Sequence, residues 1–298
     1  MSKNILITGA DGNIGKKLIK RLLNATNYNI YALVINAENA KNTFEAENIM
    51  IYNRVIIIEN KDFLEKDYDI EGFDALHLAF SRRNMPNEAI ADSIDFAQKI
   101  FAKLKERNVG RVIYMSSQGV YGNCKNLRSE ATLPAPNSAY TMAKYAVEKL
   151  FNVYFSDKKG KATCIRLDSV VQSQNLVLAL CKQAKSEGII HLKGGKQCFS
   201  YIDIEDAVSA LVSLTLFKGN WNAVYNVGLN NGRITLVELA ENVAAYCEKV
   251  TGKKVRIELE EQSIELWAGM DTTLFMNDTG WSPEFDIADM IEHIYQTI

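Results

Sequence analysis

The fold is decided by the stretch Thr8-Gly9-Ala10-Asp11-Gly12-Asn13-Ile14-Gly15, which joins a short apolar run to an amphipathic pattern. Asn4–Thr8 predicts a β-strand, and the spacing of apolar residues over Ile14–Leu23 predicts an α-helix. Glycine lets the backbone turn tightly and approach a pyrophosphate that rests on the helix N-terminus. A glycine-rich turn without a ligand is the alternative, but the strand before it and the helix after it favour a dinucleotide site. The candidate residues of that site are Gly9, Asp11, Gly12, Asn13, Ile14 and Gly15.

The rest of the first half alternates short β-branched runs with longer helical patterns. The predicted strands are Ile30–Ile35, Val55–Glu59, Ala75–Ala79, Val112–Met115 and Ala162–Leu167, and the predicted helices are Ile90–Lys105 and Ala139–Tyr154. Continuous apolar strands between helices indicate a parallel sheet that is covered on both faces. After residue 168 the pattern is less regular, with helices at Val208–Leu216 and Leu236–Thr251 and a short strand at Tyr225–Val227. The sequence therefore predicts an α/β protein with a doubly wound parallel sheet and a smaller C-terminal lobe.

Composition and charge argue against several classes of protein. The 298 residues carry a net charge of −2 with basic and acidic residues interspersed, which argues against a nucleic-acid partner. The five cysteines contain no CxxC pair and the three histidines lack metal-ligand spacing, so neither a disulfide framework nor a metal site is expected. No apolar stretch near the start has the length of a signal-peptide core or a membrane span. We therefore expect a cytoplasmic protein that binds no membrane.

The glycine spacing and several later segments resemble one known family. The spacing GxxGxxG with a leading Thr-Gly is similar to that of the extended short-chain dehydrogenase/reductase superfamily, in particular its NAD-dependent epimerase/dehydratase family. Asp62-Phe63 resembles the pair that holds the adenine ring, and Asp74–Ala79 resembles the fourth strand, whose end passes beneath the cofactor at Ala79. Tyr225–Gly228 and Gly280–Pro283 resemble the family's YNVG strand and its late Gly-Trp-x-Pro turn.

This resemblance implies a Rossmann fold with NAD as the cofactor and a small-molecule substrate. It implies a dinucleotide-binding domain over residues 1–168, to which 200–228 return, and a substrate-binding lobe over 169–199 and 229–298. It also leaves room for a homodimer. After the second strand an acid would select NAD and an arginine NADP, but the chain has Ile35-Asn36 there. Because Asn36 can hydrogen-bond a ribose hydroxyl, NAD is favoured and NADP stays open.

The superfamily's YxxxK signature occurs four times, beginning at Tyr121, Tyr140, Tyr145 and Tyr154, and context selects Tyr140. The segment Val112–Gly122 resembles the family's strand and SSxxVYG turn, and it places Ser117 at the carboxyl end of a strand. Ligands of open parallel sheets bind at these ends. Tyr140 opens the next predicted helix, and Lys144 lies four residues later on the same face.

The resemblance gives Ser117, Tyr140 and Lys144 the catalytic roles. A phenol with a pKa of about 10 is a poor base at neutral pH. The ammonium of Lys144 and the positive nicotinamide ring are therefore expected to lower the pKa of Tyr140. Tyr140 then exchanges the substrate hydroxyl proton while hydride passes to or from the nicotinamide. Ser117 hydrogen-bonds the same substrate oxygen, and Lys144 also holds the nicotinamide ribose.

Departures from the family pattern bear on the substrate. Gln118-Gly119 stand where the family's dehydratases have Asp-Glu, so a dehydratase is not expected. Phe199 stands where a diphosphate-binding arginine is expected, and Ser169 where an asparagine is usual, which weakens the case for a nucleotide diphosphate. The leading hypothesis is an epimerase of a sugar nucleotide. Two alternatives stay open: an NAD(P)-dependent dehydrogenase or reductase of a non-nucleotide hydroxy or keto compound, and a redox-sensing regulator that binds NAD(P) without turnover.

Overall fold

The computed structural model describes residues 3–173, 175–229 and 232–298, which form two compact units. The first unit comprises the residues up to Val120, together with Pro136–Arg166 and Val208–Tyr225. The second comprises Tyr121–Ala135, Leu167–Ala207 and Asn226–Ile298. Within the described ranges, no helix is long and apolar enough to cross a lipid bilayer.

Strands and helices alternate through the first two thirds of the chain. The strands are β1 (Asn4–Thr8), β2 (Asn29–Val34), β3 (Val55–Glu59), β4 (Phe73–His77), β5 (Val112–Ser117), β6 (Ala162–Leu167), β7 (Ser169–Val170), β8 (Ile189–Lys193), β9 (Cys198–Ile202), β10 (Val224–Val227), β11 (Arg233–Thr235) and β12 (Arg256–Glu260). The helices are α1 (Asn13–Ala25), α2 (Ala37–Ala46), α3 (Asn60–Glu65), α4 (Asn87–Glu106), α5 (Ala139–Tyr154), α6 (Asn175–Glu187), α7 (Ile204–Leu216), α8 (Leu236–Thr251), α9 (Thr273–Thr279) and α10 (Ile287–Tyr295).

A seven-stranded sheet in the order β10-β6-β5-β4-β1-β2-β3 forms the centre of the first unit. The pairs β1–β2, β1–β4, β2–β3 and β4–β5 are all parallel. The central strands β1 and β4 are almost wholly buried, as their continuous apolar sequences predict for strands covered on both faces. The sheet confirms the predicted α/β class and its Rossmann-like, mostly parallel topology.

Capping side chains set boundaries that the apolar pattern does not reveal. The predicted strand Ile30–Ile35 ends one residue early, at Val34. The reason is that Asn36 caps helix α2, its amide oxygen accepting a backbone N–H of the first turn at 2.8 Å. Helix α2 itself was not predicted, because only Ala40 and Phe44 are buried along it and they form too sparse an apolar stripe.

An aromatic cluster holds α5 in place beside the sheet. Phe101 of α4 meets Phe151 of α5 edge-to-face with ring centroids 5.4 Å apart, and it meets Tyr114 of β5 at 6.0 Å. Phe155, which follows α5, completes the cluster. Such pairs contribute about 0.5–1.5 kcal/mol each beyond their buried area. The cluster therefore fixes the helix that carries Tyr140.

The second unit has smaller sheets around its own apolar core. β9 pairs antiparallel with β11 and parallel with β7, while β8 and β12 form a separate parallel pair. Buried side chains of α6, α8 and α10 pack together beside these strands, among them Leu180, Leu239, Val243 and Ile291. Helix α8 has the predicted bounds, whereas the strands β8, β9 and β12 and the helices α6 and α10 were not predicted.

Candidate active site

The loop between β1 and α1 needs its three glycines for different reasons. Gly9 has a φ of +64°, and a Cβ there would lie 3.0 Å from the Cα of Ala79. A Cβ on Gly15 would lie 2.3 Å from the carbonyl oxygen of Gly9, so Gly15 allows α1 to pack closely against the loop. A Cβ on the exposed Gly12 would meet only that same oxygen, at 3.2 Å. Gly12 therefore borders open space into which a ligand fits without a change in fold.

The N-terminus of α1 suits an anion. Gly12 is the N-cap, no side chain caps the helix, and its first turn contains no acidic residue. Lys16 donates its N–H to the Gly12 carbonyl at 3.0 Å, and the N–H groups before it are those that an α-helix leaves without an intrahelical acceptor. Asn13 is exposed, while Asp11 and Ile14 are half-buried. This cradle fits the pyrophosphate of a dinucleotide, which the helix dipole and the free N–H groups favour.

The end of β4 is tied to the glycine loop by Thr8. Its hydroxyl oxygen accepts the backbone N–H groups of Leu78 and Ala79, both at 3.1 Å. Because these N–H groups bond to a side chain, β4 ends at His77 and the predicted end at Ala79 is wrong. His77 is buried among aromatic rings, and burial lowers its pKa to about 3, so the imidazole is neutral. Ala79 is half-buried beside Gly9.

The three residues predicted to contact the adenosine half have structural contacts of their own. Asn36 caps α2, as described above. Asp62, in the short helix α3 that follows β3, forms an ion pair with Lys66 at 2.9 Å. Phe63 is buried and stacks on Tyr68 with ring centroids 6.3 Å apart. All three lie where the neighbouring strands β2 and β3 end.

Tyr140 stands at the start of α5 because of the cap that precedes it. Ser138 is the N-cap, and its side chain and that of Thr141 satisfy each other's backbone N–H groups in a capping box. Tyr140 is thereby placed in the first turn and is partly buried. Ser117, the last residue of β5, is half-buried, and its hydroxyl accepts the N–H of Gly119 at 3.1 Å.

One aromatic ring contacts both Tyr140 and Lys144. The Phe80 ring meets Tyr140 edge-to-face with centroids 5.7 Å apart, and the Nζ of Lys144 lies 4.1 Å from the centroid of Phe80. Lys144 is buried, and its ammonium donates a hydrogen bond to the carbonyl oxygen of Met115 on β5 at 2.8 Å. The structure thus brings the predicted tyrosine and lysine together around Phe80, a residue that belongs to no sequence motif.

The other YxxxK tyrosines occupy different surroundings. The Nζ of Lys149 lies 4.6 Å from the centroid of the Tyr145 ring, and Lys149 is exposed on another face of α5. Tyr121 is buried and donates its hydroxyl to Asn226 at 2.8 Å. Tyr154 packs beside the ring of Phe101 with centroids 6.2 Å apart. None of these contacts resembles the shared ring of Tyr140 and Lys144.

The electrostatics differ from the sequence-based expectation in one respect. Lys144 was expected to lower the pKa of Tyr140, but burial of the phenol dominates and raises it. The cation that opposes this rise is Arg83, whose guanidinium carbon lies 5.7 Å from the centroid of the Tyr140 ring. Burial lowers the pKa of Lys144 to about 7, and the carboxylate of Glu148 partly offsets that fall. Arg83 was missed because it is a loop residue with no spacing signature.

A buried ion pair lies one helical turn beyond Lys144. The carboxylate of Glu148 accepts two hydrogen bonds from Arg166 of β6, from Nε at 3.0 Å and from Nη2 at 2.7 Å. Both side chains are buried. Bidentate pairs of this kind are the strong form of an arginine–carboxylate contact. The sequence does contain a signal for this ion pair. Glu148 lies four residues after Lys144, on the buried face of the predicted helix, where a carboxylate needs a partner.

In the second unit, Phe199 stands where the family resemblance leads us to expect a diphosphate-binding arginine, and it is part of an aromatic pair. Phe199 on β9 stacks on Tyr201 with centroids 6.2 Å apart and planes inclined by only 10°. The guanidinium groups of Arg128 and Arg233 donate to backbone carbonyls of the same unit. Ser169 donates its backbone N–H to Asp168 at 2.8 Å. These two arginines therefore support loops.

Comparisons with known proteins bear on the family and the fold of the chain. The model of the NAD dependent epimerase/dehydratase family matches residues 5–228. A structure of UDP-glucuronic acid 4-epimerase from Bacillus cereus, in complex with NAD and a fluorinated UDP-sugar, superposes with a TM-score of 0.80 at 21% identity over 98% of both chains. The dTDP-glucose 4,6-dehydratase from Bacillus anthracis in complex with NAD gives a TM-score of 0.77 at 20% identity, over 99% of this chain and 96% of the other. The UDP-N-acetylglucosamine 4-epimerase from Bacillus cereus gives 0.76 at 17% identity over 99% of both. At such identities the superpositions show a shared fold.

Proposed function

This chain belongs to the NAD dependent epimerase/dehydratase family, and from that premise we propose that it is an NAD-dependent epimerase of a sugar nucleotide. We propose that it acts through Ser117, Tyr140 and Lys144. The observation that carries the proposal is the packing of two residues around one ring. Tyr140 and Lys144, both on the helix that follows β5, contact the ring of Phe80. The presence of this tyrosine and lysine also disfavours a regulator that binds the cofactor without turnover.

The chain offers two features for a dinucleotide. The uncapped N-terminus of α1 and the open space at Gly12 would hold the pyrophosphate, and Ala79 would lie beneath the cofactor. We assign the adenosine half to the side of Asn36, Asp62 and Phe63. The chemistry that NAD supplies when bound is reversible hydride transfer.

The catalytic residues would move one proton and hold one oxygen. Tyr140 would take the proton of the substrate hydroxyl through its phenolate oxygen, while the hydroxyl of Ser117 donates a hydrogen bond to the same substrate oxygen. Because burial raises the pKa of Tyr140, the phenolate needs nearby positive charge. Arg83 and the ammonium of Lys144 would provide it. Epimerisation would be completed when the hydride returns to the opposite face of the same carbon and Tyr140 gives its proton back to the substrate oxygen.

A sugar nucleotide is the substrate class that the structural neighbours favour, since two of them are described as epimerases of UDP-sugars. The test incubates the protein with NAD and a panel of UDP-glucose, UDP-glucuronic acid and UDP-N-acetylglucosamine, and detects 4-epimers by NMR. We expect one substrate to be converted without net formation of NADH. Absence of any epimer across a full panel of nucleotide sugars would contradict the proposal.

A matched pair of variants tests the assignment of the base. Tyr140→Phe should lower turnover by at least about 100-fold, because proton transfer by a positioned side chain typically contributes 10²–10⁴-fold. Its affinity for NAD, measured by calorimetry, should stay within a few-fold of the wild type. Tyr145→Phe removes the neighbouring hydroxyl on another face of α5 and should keep full turnover. An active Tyr140→Phe beside an inactive Tyr145→Phe would show that the wrong tyrosine was chosen.

The position of Phe199 favours a second candidate function, a dehydrogenase or reductase of a non-nucleotide hydroxy or keto compound. Phe199 stacks on Tyr201 where the resemblance expects an arginine, and an arginine fork is the efficient ligand for a diphosphate. Titration of UDP and dTDP into the NAD-loaded protein at low and high salt separates the two candidates. Low-micromolar, salt-insensitive binding supports the epimerase, whereas weak, salt-sensitive binding together with NADH formation from simple alcohols supports the dehydrogenase.

A further inference from the structure

Glu59 lies one strand beyond the place where a dinucleotide-binding fold needs an acid. In such folds a carboxylate at the end of the second strand binds the ribose hydroxyls of NAD and disfavours the extra phosphate of NADP. Here the end of β2 carries Ile35-Asn36 instead. In the sheet register Glu59, the last residue of β3, pairs with Val34, the last residue of β2. A carboxylate thus stands one strand further along the same sheet edge.

The carboxylate of Glu59 turns back towards β2 and the start of α2. Its Oε1 accepts the N–H of Ala37, the first residue of α2, at 2.9 Å. Glu59 is half-buried, and it forms no ion pair with a lysine, arginine or histidine in the described ranges. The glycine loop reaches the same strand end, since the N–H of Ala10 bonds to the carbonyl of Leu33 at 3.3 Å. The carboxylate therefore lies on the side of the loop where an adenosine ribose would be placed.

The N-termini of α1 and α2 differ in what they offer an anion. That of α1 has no capping side chain and no acid in its first turn. That of α2 is capped by Asn36, has its Ala37 N–H bonded to Glu59, and carries Glu38 in the first turn. Helix N-termini attract phosphate only while their N–H groups are available and no negative charge is already there. The first helix start suits a phosphate, and the second repels one.

We propose that Glu59, from the third strand, is the residue that selects NAD over NADP in this protein. The inference rests on the proposed function, because it assumes that the chain binds a nicotinamide dinucleotide. The Glu59 carboxylate would accept a hydrogen bond from a ribose hydroxyl of NAD. The same carboxylate, together with Glu38, would repel the 2′-phosphate of NADP. The amide oxygen of Asn36 already accepts a hydrogen bond as the cap of α2. Discrimination between NAD and NADP would therefore depend on Glu59.

Calorimetric titration of NAD and NADP into wild type, Glu59→Gln and Glu45→Gln tests the proposal. Glu45→Gln is the matched control, since it removes one negative charge from an exposed site on α2 that pairs with Lys41 at 3.9 Å. We expect wild type to prefer NAD, Glu59→Gln to reduce the ratio of NAD to NADP affinity at least ten-fold, and Glu45→Gln to keep that ratio within two-fold. Glu59→Asp, which keeps the charge, should keep the preference for NAD.

The outcomes separate this inference from the proposed function. An unchanged affinity ratio in Glu59→Gln, or a wild type that prefers NADP, would overturn the role of Glu59 and leave the proposed function intact. A wild type that binds neither dinucleotide would overturn the proposed function, and this inference with it. If Glu59→Gln does not fold, the ratio of NAD to NADP affinity is measured with Glu59→Asp instead. Loss of the NAD preference in this variant, which keeps the negative charge, would contradict selection by charge.

Discussion

Replacement of Lys144 by methionine should change how the stability of the protein depends on pH. Burial lowers the pKa of Lys144 from 10.5 to about 7. Each unit is worth about 1.4 kcal/mol, so keeping the ammonium charged in the folded state costs about 5 kcal/mol. Below pH 7 lysine is protonated in both states and this cost is present in full. As the pH rises from 7 towards 10.5, the folded protein loses the proton first, and the cost disappears.

Wild type should therefore gain stability relative to Lys144→Met as the pH rises. With a pKa of 10.5 in the unfolded chain and about 7 in the folded protein, Lys144 should add about 4 kcal/mol to the free energy of unfolding of wild type between pH 6 and pH 10. The assay is urea unfolding followed by circular dichroism at intervals of half a pH unit. Lys149→Met is the control, because that lysine is on the same helix but exposed, and its difference from wild type should stay within about 0.5 kcal/mol at every pH. A flat difference for Lys144→Met, or one of opposite slope, would refute the argument.

Two further predictions concern the glycine loop and the buried ion pair. Gly12→Val should abolish NAD binding in calorimetry yet leave the melting temperature within a few degrees of wild type, because its Cβ meets a single backbone oxygen at 3.2 Å. Gly15→Ala should instead lower the melting temperature, since its Cβ would lie 2.3 Å from a backbone oxygen. Glu148→Gln should reduce the free energy of unfolding by about 3–5 kcal/mol, as it removes the carboxylate charge that faces a buried guanidinium. Undiminished stability in either of the last two variants would contradict the packing described here.

The first unit could be predicted from sequence largely because its central strands are buried on both faces. β1, β3 and β6 have the predicted bounds, since each is a compact apolar run bordered by polar residues. Two of the errors occur where a side chain takes over a backbone bond, as Thr8 does at the end of β4 and Asn36 at the start of α2. Such bonds depend on neighbours in space, so apolar periodicity does not reveal them.

The second unit was less predictable because its strands are short and partly exposed. β12 is almost fully exposed and pairs with β8, more than sixty residues earlier in the chain. β9 is stabilised by β11 and β7, neither longer than three residues. Strands of this kind carry little periodic signal, and their stability comes from partners that are distant in sequence.

The candidate site also contains residues that could be predicted from the sequence and residues that could not. Ser117 could be proposed because its segment resembles the family's strand and turn. Tyr140 and Lys144 could be proposed because they open the next helix, although their spacing alone occurs four times in the chain. Phe80 and Arg83 could not, because they lie in the segment after β4, whose path brings them to Tyr140 only in three dimensions. Spacing identifies residues on one element, whereas contacts between elements require the fold.

The charges around Tyr140 show why those contacts matter for chemistry. Glu148 and Arg166 form an ion pair, and among the described residues Arg83 is the cation whose charge favours ionisation of Tyr140. Burial lowers the pKa of Lys144 to about 7, so its ammonium charge is lost as the pH rises past neutrality. Burial raises the pKa of the Tyr140 phenol, and the positive charge of Arg83 opposes that rise. A residue without any sequence signature thus favours the ionisation of the tyrosine in the signature.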